Sequence, residues 1–239
     1  MGKKAIIFGA TSGIGKELAK LLVEDGYQVA ITGRREEKLL EIQATNPKFY
    51  TIKKHDVTQL ENSEKVFNEL ISELSSVDLI VYSSGIAEPN YGLEWEKELP
   101  TLEVNVIGAV KIYGLAYNFF HKQGYGHLVG ISSVAGLRGN RHTPAYFASK
   151  AFQNKYLESL WMKANRSKSD IQVTDIAPGF IDTKMALGDT FGMASLDKAT
   201  KQIYKAIKRK KKKAYITKRW SLIAFVMKRI PGKLLIKLA

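Results

Sequence analysis

The chain contains no cysteine. That absence excludes a disulfide framework, thiol catalysis and zinc–thiolate sites together, and it fits a reducing compartment. Nor is there an uninterrupted run of about 18 apolar residues, so no segment reads as a membrane-spanning helix. The first apolar run, Ala5-Ile6-Ile7-Phe8, is cut off at once by Gly9-Ala10-Thr11-Ser12-Gly13, and no cleavage-site pattern follows it. A cytoplasmic protein is therefore expected, free or peripheral at the inner face of a membrane. Acidic residues are missing from one region only. Lys201 to Ala239 holds eleven Lys, three Arg and no Asp or Glu. Removing these fourteen from the 37 Lys and Arg of the chain leaves 23, equal to its 23 Asp and Glu, so the whole excess of +14 lies in the last 39 residues. Body and tail need separate explanations.

What is present fits one α/β domain: 239 residues, 45% hydrophobic and 25% charged. Apolar, β-branched-rich runs occur at Ala5–Phe8, Gln28–Thr32, Phe49–Lys53, Asp78–Tyr82, His127–Ile131 and Ile171–Ile176. Helical periodicity fills the gaps at Ile14–Glu24, Glu36–Ala44, Glu61–Leu74, Leu102–Phe120 and Tyr146–Lys163. Strictly alternating elements with near-continuous apolar strands predict a single-domain Rossmann fold, a doubly wound parallel sheet of about seven strands covered by helices on both faces. The expected catalytic domain is 1–200, its edge completed by a strand at Ala214–Thr217, with a basic amphipathic extension over 201–239.

Chemistry concentrates at the ends of these strands. The first runs into Gly9-Ala10-Thr11-Ser12-Gly13-Ile14-Gly15, where glycines let the backbone approach a phosphate and the following helix turns its free N–H groups toward it. About 20 residues on, where an NAD site carries an acidic residue for the ribose 2′-OH, the chain reads Gly33-Arg34-Arg35. The repelling carboxylate is missing and guanidinium forks are available, which favours NADP(H). Arg34 is the first candidate for the 2′-phosphate; Arg35 either joins it or simply opens a solvated helix. In His55-Asp56-Val57, Asp56 faces the adenine or caps the next helix. Further along, Tyr146 and Lys150 stand four apart on one helix face. Ser132-Ser133 closes the fifth strand, and Asn105 lies in the long helix before it. In a doubly wound sheet such strand ends converge on one crevice.

Gly9-x-x-x-Gly13-x-Gly15, Asn105, Ser133, Tyr146-x-x-x-Lys150 and Pro178-Gly179 followed by Thr183, in this order and spacing, resemble the short-chain dehydrogenase/reductase family from about Lys4 to Thr183. Two departures stand out: Phe8 where the family often has Thr, and Tyr82-Ser83-Ser84-Gly85 in place of Asn-Asn-Ala-Gly. The resemblance implies that Tyr146 is the general acid and base and that Ser133 orients the substrate oxygen. It further implies that Lys150 depresses the phenol pKa and holds the nicotinamide ribose, while Asn105 holds a water leading to Lys150. Pro178, Gly179 and Thr183 would line the nicotinamide, and Ser84 and Gly85 the cofactor's other flank. A catalytic Asn105, Ser133, Tyr146 and Lys150 points to hydride exchange between NADP(H) and a carbonyl or alcohol substrate. The alternative is a redox-silent NADP(H)-binding sensor or scaffold.

Around this site, Lys184 to Ala199 reads as an apolar flap with Met185, Leu187, Phe191 and Met193 among Gly188 and Gly192, which hints at a lipophilic substrate. Arg138, Arg141 and His142 meet an acidic substrate group or line a solvated loop. In the tail, six cations run from Lys208 to Lys213, a charge density that resists burial without acidic partners. Beyond them, apolar Trp220–Met227 and Leu234–Ile236 alternate with Lys218-Arg219, Lys228-Arg229, Lys233 and Lys237. An anionic membrane surface suits 208–239; a helix packed on the body or across a homo-oligomer suits it too. Nucleic acid suits it least, because aromatics are sparse among the lysines.

Overall fold

The computed structural model describes residues 2–183 and 193–232. In chain order the elements are β1 (Lys4–Phe8), α1 (Gly13–Glu24), β2 (Gln28–Gly33), α2 (Glu36–Thr45), β3 (Tyr50–Lys54), α3 (Leu60–Leu74), β4 (Leu79–Tyr82) and α4 (Trp95–Leu102). A π-helical stretch, Glu103–Gly108, leads into α5 (Ala109–Gln123) and β5 (Tyr125–Ile131). A 3-10 turn (Val134–Leu137), α6 (Pro144–Asn165), β6 (Asp170–Pro178), α7 (Leu196–Lys208), β7 (Lys213–Ile216) and α8 (Arg219–Met227) follow.

All seven strands pair in parallel, in the order β3-β2-β1-β4-β5-β6-β7. The expected doubly wound Rossmann sheet is therefore present. Alternation along β1 shows why both faces must be covered: Ala5 and Ile7 join one core, Ile6 and Phe8 the other. The first core takes Leu18 and Leu22 of α1, Leu39 of α2 and Ile203 of α7; the second takes Phe67 and Leu70 of α3, Ile112 and Phe120 of α5 and Leu157 of α6. In α1 the buried residues Gly15, Leu18, Ala19 and Leu22 follow the i, i+3, i+4, i+7 stripe that seats a helix on a sheet. Because strand order reverses between β1 and β4, the crevice opens at their carboxyl ends.

The helix expected at Leu102–Phe120 proves to be the middle of a longer helical passage. It starts at Trp95, and α4 carries Pro100 inside a short charged sequence. The passage widens into the π turn around Asn105 before α5. It stops at Gly124, left-handed at φ 90°, whose N–H closes on Phe120 O at 2.9 Å.

The cationic run belongs to the sheet edge. Lys208 pairs with Asp25 at 2.7 Å, Lys210 with Asp170 at 3.8 Å, Lys212 with Glu158 at 3.5 Å and Lys213 with Asp175 at 2.7 Å. Lys212 also sits 3.8 Å from the Trp161 ring centroid. Acidic partners on the body thus accommodate four of the six cations, and β7, which follows directly, pairs with β6 from Asp175↔Lys213 to Pro178↔Ile216.

On β5, buried His127 is bonded through Nε2 to Thr174 Oγ1 at 2.8 Å. Burial, with Lys210 nearby, pushes its pKa down from 6.5 to about 4. The unfolded chain therefore binds a proton there before the folded one does. Stability is full above about 6.5 and falls as pH drops toward about 4, by up to about 3 kcal/mol. Thermal melts across this window should show that loss, and His127→Gln should flatten the slope. An unchanged slope in the variant would remove His127 from the acid transition.

Candidate active site

The glycine loop is shaped by what it must avoid. Gly9 sits at φ +88°, and a Cβ there would lie 2.6 Å from Ser84 N; one on Gly15 would lie 2.1 Å from Gly9 O. The Ser84 loop therefore presses on the first turn from the β4 side, while Ser12, at the N-cap position of α1, makes no side-chain cap to it. Among the described residues no side chain caps the first N–H groups of α1, and a Cβ on Gly13 would meet Thr183 Cγ2 at 3.9 Å. Backbone, open helix end and facing Thr183 form a cradle into which a dinucleotide pyrophosphate fits.

Of the two arginines after β2, it is Arg35 that reaches this loop. Its Nη2 donates to Thr11 Oγ1 at 2.6 Å and to Ser12 Oγ at 3.0 Å, and both arginines are exposed. Arg34, preferred on sequence grounds, stands beside it, while the Arg35 side chain doubles back from the start of α2. Asp56 accepts from Thr58 N at 3.0 Å and Thr58 Oγ1 at 2.9 Å in a turn before α3, whose N-cap is Gln59, with Val57 buried next to it. Ile14 packs against the first core from the same loop. The two departures are accommodated by packing. Phe8 is enclosed between His55 and Phe67, and Tyr82 donates its hydroxyl to Val104 O.

At the carboxyl ends of β5 and β6 the expected side chains meet. Ser133 Oγ accepts from Ala135 N at 3.0 Å, lies 3.3 Å from Pro178 O and stands near the Tyr146 phenol. Burial raises the Tyr146 pKa, and the nearby Ser133 hydroxyl opposes this only in part. Lys150 Nζ stands 5.9 Å from the centre of the Tyr146 ring and donates to Ile131 O and Gln153 Oε1, each at 3.0 Å. Burial lowers the Lys150 pKa from 10.5 to about 8, with the nearby Asp175 carboxylate pulling the other way. Asn105 is drawn in by the π turn. It clamps Ile86, receiving Ile86 N at 3.0 Å and donating to Ile86 O at 2.9 Å, and it bonds Ser149 Oγ at 3.0 Å. That clamp ties Ser84 and Gly85 to the site. Gln153 Nε2 donates to the main-chain carbonyl of Asn105 at 2.7 Å, and its Oε1 links that carbonyl to Lys150.

With these groups gathered at one crevice, comparison with known proteins has a defined object. The family model for short chain dehydrogenase matches residues 3–190. The chain belongs to the short-chain dehydrogenase family. It is 33% identical over 225 residues to an uncharacterized oxidoreductase of Mycobacterium tuberculosis, covering 90% of this chain and 88% of the relative. To carbonyl reductase family member 4 of Xenopus tropicalis it is 33% identical over 190 residues, with 79% of each chain covered. A short-chain dehydrogenase from Streptomyces avermitilis superposes with a TM-score of 0.84 at 21% identity, over 95% of this chain and 92% of that one. ElxO, solved with NADP bound, gives 0.81 at 21% identity over 90% and 97%. At such identities the structures speak for the shared fold.

Three features of the site escaped sequence reading. Gln153 gave only the signal of a polar residue one turn after Lys150. Asp175 stood out as a carboxylate inside an apolar strand; it accepts from Ser132 Oγ and pairs with Lys213 directly behind the Ser132-Ser133 turn. Third, α8 lies on the site. Trp220 is buried against Gly179, where a Cβ would come within 2.0 Å of the indole, and it meets Phe180 edge-on at 5.5 Å. Arg138 donates to Ile230 O at 2.8 Å, and Arg141 to His142 Nε2 at 2.9 Å, so this loop braces the segment after α8 instead of standing free. Of the expected flap, Met185, Leu187, Gly188, Phe191 and Gly192 lie outside the described residues; Met193 leads into α7.

Proposed function

We propose that the chain is an NADP(H)-dependent carbonyl reductase, or in reverse an alcohol dehydrogenase, in which Tyr146 exchanges the proton with the substrate oxygen. The observation that carries this reading is the meeting of Tyr146, Ser133 and a buried Lys150 ammonium at strand ends facing the glycine cradle. The nicotinamide, when bound, supplies or accepts the hydride. Ser133 holds the substrate oxygen beside the phenol, and the Lys150 charge stabilises the phenolate that remains after proton donation. Lys150 also holds the nicotinamide ribose, while Pro178, Gly179 and Thr183 flank the ring. Asp56 and Val57 border the adenine, with Ser84 and Gly85 on the opposite side. Arg35, with Arg34 beside it, takes the 2′-phosphate. A sensor or scaffold has no need of an ammonium desolvated next to a phenol, which argues against the redox-silent alternative.

A lipophilic carbonyl compound is the substrate class in this reading, because Phe180 and Trp220 give the cleft an apolar wall. The protein is cytoplasmic and self-associates, supported by exposed Phe152 and Met162 on α6. Among the described residues no helix is long and apolar enough to cross a membrane. Attachment is instead peripheral, through α8. Its inner side buries Trp220 and Ala224, and its outer side exposes Leu222 (70%), Phe225 (55%) and Val226 (49%). Lys218, Arg219, Lys228 and Arg229 frame that apolar face, and Lys218 to Gly232 contains no carboxylate. A second copy laid symmetrically on this face would oppose cation to cation, whereas anionic lipid satisfies both the charge and the apolar side chains.

Three outcomes are expected. NADPH oxidation with a mixed panel of aldehydes and ketones falls at least roughly 100-fold in Tyr146→Phe while nucleotide affinity is retained; undiminished turnover in the variant would refute the mechanism. In fluorescence titrations, Arg35→Ala weakens NADPH at least roughly tenfold more than NADH, and equal losses would refute the cofactor assignment. Full-length protein co-sediments with phosphatidylcholine vesicles containing phosphatidylserine and not with phosphatidylcholine alone, and the double variant Leu222→Ser, Phe225→Ser abolishes this. Indifference to lipid charge or to the double variant would defeat membrane docking, and conversion of a dimer to a monomer would assign α8 to a second copy.

A further inference from the structure

Gln153 lies one turn after Lys150 on α6 and is fully buried. Its two amide ends are both committed: Nε2 donates to the main-chain oxygen of Asn105 at 2.7 Å, and Oε1 accepts from Lys150 Nζ at 3.0 Å. Between a carbonyl in the π turn and an ammonium on α6 there is thus one rigid group bonded at both ends. Neither distance admits a water between the bonded atoms. Ile131 O receives a second Lys150 N–H from the end of β5. The titratable or charged groups that face Lys150 are Tyr146 on its own helix and Asp175 on β6, the latter paired with Lys213 of β7.

We infer that Gln153 is a positioning residue that fixes the Lys150 ammonium against the Asn105 carbonyl and sets its protonation as a strut, where a water or hydroxyl would conduct protons. A side-chain amide offers one acceptor oxygen and one donor nitrogen, and here each is used in the only orientation that satisfies both partners. Turned end for end, it would set its nitrogen against an ammonium and its oxygen against a carbonyl, two repulsive contacts in a buried place. The orientation is therefore fixed, and so is the direction in which Lys150 points. A water in that position reorients and passes a proton; an amide held at both ends does not. Asn105 then acts on the site as a clamp on Ile86 and an anchor for Gln153. This inference rests on the reading of Lys150 as the partner of Tyr146.

The test reads Lys150 without turnover, so failure of the enzymatic reading would not be mistaken for failure here. Full-length protein with 13C-labelled lysine is titrated by NMR, the Lys150 Cε signal being assigned by its loss in Lys150→Met. Removing the acceptor in Gln153→Leu should lower the Lys150 midpoint by about one pH unit, the size of one charge-assisted hydrogen bond. Gln153→Glu, nearly the same shape, should raise it by at least as much. Gln153→Glu also keeps the test decisive if Gln153→Leu does not fold. A purely structural Gln153 predicts loss of thermal stability with the midpoint unmoved; an unmoved midpoint in folded Gln153→Glu would overturn the inference.

Discussion

Lys150 carries a charge into the buried interior, and much of the candidate active site is arranged around that fact. Leaving an ammonium unpaired at such a depth costs several kcal/mol. Here it is held by Ile131 O at the end of β5 and by Gln153 on the next turn, with the Asp175 carboxylate close by on β6. Each partner comes from a different element, so the ammonium fixes β5, α6 and β6 relative to one another. Burial still leaves Lys150 at about 8, near enough to neutrality for its charge to respond to a phenolate or a ribose.

Asp175 makes the same demand in reverse. Its own burial opposes ionisation, and the groups that favour the carboxylate are Lys213 and the Ser132 hydroxyl. Lys213 is the last cation of the basic run and the first residue of β7. The edge strand and the candidate active site are therefore electrostatically joined: β7 delivers the cation that lets a carboxylate sit behind Ser133, and the carboxylate in turn supports Lys150. That coupling also accounts for the position of the basic run. Four of its lysines meet carboxylates of the body, which spreads the run along the sheet edge.

The framework was legible in the sequence because it depends on local pattern. Apolar runs gave β1 to β6, the stripe Gly15-Leu18-Ala19-Leu22 gave α1, and ordered motifs gave Tyr146, Lys150, Ser133 and Asn105. Pairs distant in sequence were not legible. Nothing local links Asp175 to Lys213, Gln153 to the Asn105 carbonyl or Trp220 to Gly179; the sheet register and the return of α8 create those contacts. Arg35 shows a subtler limit. Two adjacent arginines carry the same charge, and only the backbone at the start of α2 decides that Arg35 turns back toward Thr11 and Ser12. In α4, a proline and a charged surface hid a helix that packing stabilises.

The tail resolves into two devices that one charge count had merged. As far as Ile216 it belongs to the body, as the second half of α7 and then β7, and Lys208, Lys210, Lys212 and Lys213 there meet carboxylates. From Lys218 the charge has no acidic partner within the segment, and α8 turns one apolar face inward on Gly179 and another outward. An outward apolar face is costly to leave in water at roughly 25 cal/mol per Å², and the exposure of Leu222 and Phe225 is not needed for packing, since Trp220 and Ala224 already seat the helix. The inward contact falls on the residues that follow β6, beside the Tyr146 centre. A surface engaged by α8 would thus lie one helix thickness from the cleft wall made by Phe180 and Trp220, a short and apolar route for a substrate that prefers lipid to water.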